Sequence, residues 1–225
     1  MVWAVGRRMV LVSRSCTRAR SGFYFAILVL LGSALPVQAG TKGDPNAVTV
    51  LVGRGTDTDF TQIITEPWTT HFVDLTMVGL TASHRLGTLD ELSGSDLGHM
   101  GEYVSVEAEA GADYRFGEDE NLGEFWGALY FRYDGFPWND TIYTTAAINT
   151  GLSLLTETSE FERNRGSDGT SQVLHYFSPE ITFADPDNKN IELVLRLSHR
   201  SGIFGLIDGV TSGSTFVTTG LRFRF

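Results

Sequence analysis

Tyr103-Val104-Ser105-Val106-Glu107-Ala108-Glu109-Ala110-Gly111-Ala112-Asp113-Tyr114-Arg115-Phe116 is the stretch that decides the fold class. Val104, Val106, Ala108, Ala110, Ala112, Tyr114 and Phe116 share one parity; Ser105, Glu107, Glu109, Asp113 and Arg115 share the other. A helix turns about 100° per residue and would scatter these two sets around its circumference, whereas a strand separates them onto opposite faces. The run is also longer than the roughly 9–11 residues that a tilted strand needs to cross a bilayer.

The same alternation recurs on both sides of it. Strands are expected over 47–53, 71–84, 123–134, 141–155, 173–184, from Ile191 to Ser201, and over 215–225, separated by Gly-, Asp-, Asn- and Pro-rich turns. Pro179 lies inside the sixth, where its missing N–H implies a bulge or a weakened ladder. No segment between the strands carries a convincing helical period. Eight antiparallel strands close naturally into a barrel, which removes exposed sheet edges. The fold class expected is therefore all-β, an eight-stranded antiparallel outer-membrane barrel over 47–225. Periodicity does not say which face is inside, and a soluble periplasmic lipocalin-like carrier would alternate in the same way.

The two ends of the chain favour the membrane. Arg7, Arg8, Arg14, Arg18 and Arg20 precede an apolar run from Phe23 to Leu31, and Val37-Gln38-Ala39 closes the segment with a small-x-small pattern. This reads as a secretory signal peptide over 1–39, cleaved after Ala39, followed by a polar lead-in over 40–46. An uncleaved anchor is the alternative, but the run falls short of the roughly 20 apolar residues of a spanning helix. Cleavage would remove five of the 17 basic residues and none of the 27 acidic ones, leaving a net charge near −15, so nucleic acid is not an expected partner. The only cysteine, Cys16, would leave as well, and with it disulfides, thiolate metal sites and a cysteine nucleophile. No cofactor or metal is expected. At the other end Val217, Leu221, Phe223 and Phe225 alternate with Arg222 and Arg224. An alternating strand that stops on an aromatic residue resembles the closing strand of bacterial outer-membrane barrels, the signal read by the barrel-assembly machinery. In such a barrel Glu107, Glu109, Glu180 and Glu192 are expected to pair inside with Arg115, Arg132, Arg196, Arg222 and Arg224, because a desolvated single ion is costly.

Candidate chemistry is concentrated in the seventh expected strand. His199 and Ser201 continue the Leu193-Leu195-Leu197 face and, two residues apart, have Cα atoms roughly 6.5 Å apart. An imidazole there can take a hydroxyl proton as serine attacks an ester carbonyl, with an acid normally holding the imidazole tautomer. With that face turned to lipid and the N-terminus starting in the periplasm, the pair lies near the outer leaflet. Phe204, Leu206 and Ile207 form an apolar loop beyond it, suited to acyl chains or to interfacial anchoring.

Ser198-His199-Arg200-Ser201 entering that loop, with 213–225 as the last strand, resembles the lipid A 3-O-deacylase family, the acyloxyacyl hydrolase-like outer-membrane barrels. The resemblance implies an enzyme that cleaves an ester-linked acyl chain of lipid A, with lipopolysaccharide and outer-membrane lipids as partners, His199 as base and Ser201 as nucleophile. The family's glutamate early in the last strand is not matched: no acid occurs between Gly209 and Phe225, and Thr211 and Thr215 stand where it would fall. The nearest acid, Asp208, either orients His199 from the loop or is a turn residue. A non-catalytic barrel of the same descent, with a structural or surface-interaction role, is the other reading.

Overall fold

The computed structural model describes residues 44–117, 120–165 and 169–225. The expected export segment and its cleavage point lie outside the described residues. The strands are β1 (Asn46–Thr56), β2 (Phe72–Thr88), β3 (Val104–Gly117), β4 (Glu120–Tyr133), β5 (Tyr143–Leu155), β6 (Val173–Phe177), β7 (Glu180–Asp185), β8 (Asn188–Ser201) and β9 (Thr215–Arg224). All pairings are antiparallel, β1 pairs with β9, and β4 pairs with β5, so the sheet closes on itself.

β6 and β7 occupy one position in the ring, which therefore has eight walls. On β5, Gly151 faces Tyr176 and Ala147 faces Glu180; on β8, Ser201 faces His175 and Arg196 faces Glu180. Those pairings share one unbroken register across Pro179, so the break is a lost rung and not a bulge. Proline supplies no N–H, and the amide of Ser178 is taken up by the side-chain carbonyl of Asn149 instead.

The interior is polar and filled. Arg132 bridges Glu180 (2.7 Å) and Glu107 (3.1 Å); Arg224 joins Glu107 to Glu192; Arg222 joins Glu192 (3.4 Å) back to Glu180 (2.8 Å). This closed ring of alternating charges has Arg196 attached to it, held between Glu180 (2.6 Å) and Glu109 (2.8 Å). The ring ties β3 and β4 to β7, β8 and β9 across the lumen. Above it lies a layer of Trp126, Tyr130 and Tyr176, with Trp126 and Tyr176 stacked at 5.1 Å. Nearer the far rim Arg115 sits against Glu124 and Asp113 and over the ring of Phe216. An eight-stranded barrel is just wide enough to be filled by side chains, and here charged side chains do the filling, as expected from the sequence.

The exterior is the reverse. Val50, Val52, Val78, Leu80, Leu129, Ile148, Leu152, Leu193, Leu195 and Leu221 are all exposed and form an aliphatic band. Exposed Trp68, Phe72, Tyr114 and Phe116 flank it at one rim, and Phe131, Trp138, Phe223 and Phe225 at the other. An apolar band between aromatic girdles is the surface that hydrocarbon and its interfaces select. A lipocalin-like carrier needs these faces turned inward, so that alternative is overturned by the burial pattern.

The chain enters and leaves the barrel at one rim: the Asn46 and Phe225 backbones exchange hydrogen bonds of 3.3 and 3.0 Å. Contrary to the sequence reading, the loops carry short helices. These are α1 (Phe60–Thr65), α2 (Leu89–Ser93), α3 (His99–Tyr103) and α4 (Glu160–Arg165), with a 3-10 turn at Pro67–Thr69. At five or six residues each they are too short to show a period. α4 dips into the far rim, where buried Glu162 lies 3.3 Å from Arg200 Nε and 3.7 Å from Arg115 Nη1.

Candidate functional site

The last turns of β8 carry the site because the strand's alternation holds to its end. Arg196, Ser198 and Arg200 point inward and are buried, while Leu197, His199 and Ser201 point outward and are half-buried. The site lies at the far rim. Arg200, between the two candidate residues, donates from Nη2 to the carbonyl of Ser171 (2.7 Å) and pairs with Glu162 of α4. The stretch of backbone that presents His199 and Ser201 outside is thus gripped from inside.

His199 faces Thr215 on β9 and Phe177 on β6. Its Nδ1 lies 2.8 Å from Thr215 Oγ1, and Thr215 is itself buried. Thr215 is one of the two threonines at which the resemblance to the deacylase family would have placed an acid. A hydroxyl that accepts from Nδ1–H fixes the ring and leaves Nε2 as the proton acceptor, as a carboxylate would, but offers no charge to an imidazolium.

Over this pair folds the segment 57–71. Phe60, the first residue of α1, lies 4.5 Å from the His199 ring and meets Phe177 edge-on at 5.6 Å. The segment is pinned where it leaves β1: Thr56 Oγ1 donates to His71 O (2.8 Å), Thr58 N–H donates to Thr56 Oγ1 (3.0 Å), and His71 N–H donates to Thr58 Oγ1 (2.8 Å). Arg165 of α4 secures it from the other side through the carbonyls of Thr56 (2.6 Å) and Asp57 (2.7 Å).

Ser201 lies directly opposite His175 on β6. His175 Nε2 is 2.9 Å from Thr150 Oγ1 on β5, and its ring stacks on Phe177 at 6.5 Å. Among the described residues no hydrogen bond joins Ser201 to either imidazole. His199 and Ser201 are therefore neighbours on one face, as expected, without the direct contact that their spacing permits.

Asp208 does not reach His199. Its carboxylate accepts a hydrogen bond from Ser171 Oγ (2.5 Å), and its backbone has a φ of 51°, so of the two roles expected for it the loop residue is the one seen. The loop beyond β8 is tight. Gly202 begins it because a Cβ there would lie 1.9 Å from Val210 O. Ile203 and Phe204 also adopt positive φ (49° and 54°), which for a β-branched residue is a real outlier. That backbone displays Phe204 and Leu206 at 95% and 81% exposure, with Ile207 half-buried beside them. No three His, Asp or Glu side chains among the described residues are grouped as metal ligands.

Sequence reasoning missed Phe60, Phe177, His175 and Thr150 as members of this cluster. His175 and Phe177 share a parity that the alternation of Val173–Phe177 made readable. The arrival of Phe60 from a loop some 140 residues away in sequence had no signal.

No protein-family description matches the sequence, and no curated relative does. Solved structures do resemble the fold. The outer membrane enzyme PagL aligns with a TM-score of 0.51 at 13% identity, over 80% of this chain and 99% of that one. Neisserial surface protein A gives 0.48 at 10% identity, over 81% and 98%, and Ail, the attachment invasion locus protein of Yersinia pestis, gives 0.29 at 11%, over 80% and 100%. At such identities the likeness to PagL bears on the fold alone, which is that of an outer-membrane barrel.

Proposed function

We propose that this chain is an outer-membrane ester hydrolase that removes an acyl chain from lipid A. In this reading the chain is exported on a cleaved signal peptide and inserted by the barrel-assembly machinery acting on the Phe225 strand. The far rim then faces the cell exterior, and the aliphatic band spans the membrane. The observation that carries the proposal is the outward placement of His199 and Ser201 at that rim, with His199 Nδ1 held by Thr215. An amphipathic ester in the outer leaflet presents its acyl carbonyls at that depth, and the exposed Phe204 and Leu206 give its chains an apolar surface.

Chemically, His199 Nε2 takes the hydroxyl proton as Ser201 Oγ bonds to the ester carbonyl carbon. The same proton goes to the sugar oxygen as the ester C–O bond breaks, and water then releases the fatty acid from Ser201 by the reverse relay. Neutral Thr215 orients the ring without stabilising its cation, so the reading implies a slow enzyme. The test is to incubate the purified chain with lipopolysaccharide and follow lipid A mass and fatty-acid release, beside Ser201→Ala and His199→Ala. Release by the wild type alone is expected; equal release by all three, or by none, refutes the proposal.

A second reading has its own support. The ring of Phe60 over His199 and the absence, among the described residues, of a carboxylate partner for that histidine both suit a non-catalytic barrel of the same descent. That reading expects unchanged surface interactions in the Ser201→Ala strain.

A further inference from the structure

Ser201 has two imidazole neighbours. One is His199, two residues back on its own strand. The other is His175, directly across the ladder on β6, where facing Cβ atoms stand about 4.5–5.5 Å apart, closer than residues i and i+2 of one strand. All three side chains point outward. Each histidine is fixed at one nitrogen by a threonine hydroxyl from the strand beyond it, His199 by Thr215 at 2.8 Å and His175 by Thr150 at 2.9 Å. On either side of Ser201 the order is therefore threonine, histidine, serine, read inward from β5 and from β9. The two sides differ in cover: Phe60 lies on His199 at 4.5 Å, while His175 meets only Phe177 among the rings described.

We infer that His175 is a second proton acceptor for Ser201, serving the same hydroxyl from the opposite strand. With Nε2 bound to Thr150, its Nδ1 takes the Ser201 proton as Oγ bonds to the carbonyl carbon, and returns it to the alkoxide oxygen as the ester bond breaks. The inference rests on the esterase reading and adds to it a residue that the His-x-Ser pattern does not contain.

The experiment compares the full purified chain with His175→Gln, His199→Gln, the double variant and Ser201→Ala, all checked for heat-modifiable migration. Covalent labelling by a fluorescent alkyl fluorophosphonate reports attack by Ser201 on phosphorus with loss of fluoride, independently of any lipid. The expected result is that each single variant labels about a hundredfold more slowly, the lower end of what one positioned general base contributes, and that the double variant falls to the Ser201→Ala baseline. Wild-type labelling with an unchanged rate in His175→Gln overturns the role of His175 and leaves the esterase reading standing. A wild type that neither labels nor releases fatty acid overturns both. Should His175→Gln fail to fold, imidazole 15N resonances decide the point: Ser201→Ala must shift those of His175, and unmoved resonances overturn the inference.

Discussion

Replacing Glu180 by glutamine is expected to cost about 3–5 kcal/mol of barrel stability, the range for removing one partner from a buried ionic network. Glu180 is fully enclosed and receives three guanidiniums, Arg196 at 2.6 Å, Arg132 at 2.7 Å and Arg222 at 2.8 Å. Four arginines, 132, 196, 222 and 224, here meet four glutamates, 107, 109, 180 and 192, so the assembly is neutral and Glu180→Gln leaves it with one positive charge. The loss is unequally shared. Arg196 keeps Glu109 through two hydrogen bonds of 2.9 and 2.8 Å and Arg132 keeps Glu107 at 3.1 Å, but Arg222 keeps one carboxylate among the described residues, Glu192 at 3.4 Å, beside a neutral hydrogen bond to Thr49 Oγ1 at 3.2 Å. The double variant Glu180→Gln/Arg222→Gln restores neutrality and is expected to recover at least about 1 kcal/mol, the lower part of the range for directly coupled sites. The assay is urea unfolding from lipid vesicles followed by tryptophan fluorescence, with Glu160→Gln as control, since its pair with Arg163 is exposed and worth about 0–1 kcal/mol. A Glu180→Gln loss below that of the control, or a double variant less stable than Glu180→Gln itself, would refute the network as described.

Thr215→Asp, close to threonine in size, is expected to raise kcat for ester hydrolysis about tenfold, because a carboxylate stabilises the imidazolium as well as orienting it; Thr215→Val is expected to lower it, both measured as fatty-acid release. Phe60→Ala uncovers His199, and carbethoxylation of that histidine by diethyl pyrocarbonate, read by peptide mass, is expected to speed up several-fold. Asp208→Asn is expected to keep activity within about twofold, the size of an ordinary surface change; a loss of a hundredfold would return Asp208 to the site.

The architecture was readable in the sequence because one rule, period 2, governs both the wall and its contents. Parity put Glu107, Glu109 and Arg115 on one face, the two ends of the chain and the charges themselves turned that face inward, and the partners named for the first two prove to be in the lumen with them. Arg115 differs: it meets Asp113, Glu124 and Glu162, two of them on other elements, and parity does not say which charges share a level of the barrel. Loop content was less legible. Thr88-Leu89-Asp90-Glu91 is a capping box whose two hydrogen bonds open α2, a local signal present in the sequence but outweighed there by the surrounding Gly, Ser and Asp. Phe60 had no signal of any kind, since its contact with His199 depends on how a loop folds back over three strands. The placement of His199 and Ser201 together on the Leu197 face followed from parity, whereas Asp208 was assigned by proximity in sequence, which a tight loop with positive φ at three of its non-glycine residues does not preserve.

The charge ring also bears on how such a barrel comes into being. Its links join residues far apart along the chain: Arg224 to Glu107 spans 117 positions, Arg196 to Glu109 spans 87, and Arg132 to Glu180 spans 48. Shorter links lie between adjacent strands, Arg132 to Glu107, Arg196 to Glu180 and Arg224 to Glu192, so these arginines can each meet one carboxylate early, but the ring itself closes only when walls from both halves of the chain stand opposite one another. A barrel assembled one hairpin at a time therefore holds these buried ions with fewer partners than they have at closure, and the ring favours cooperative closure, with β9, which brings Arg222 and Arg224, as the strand that completes it.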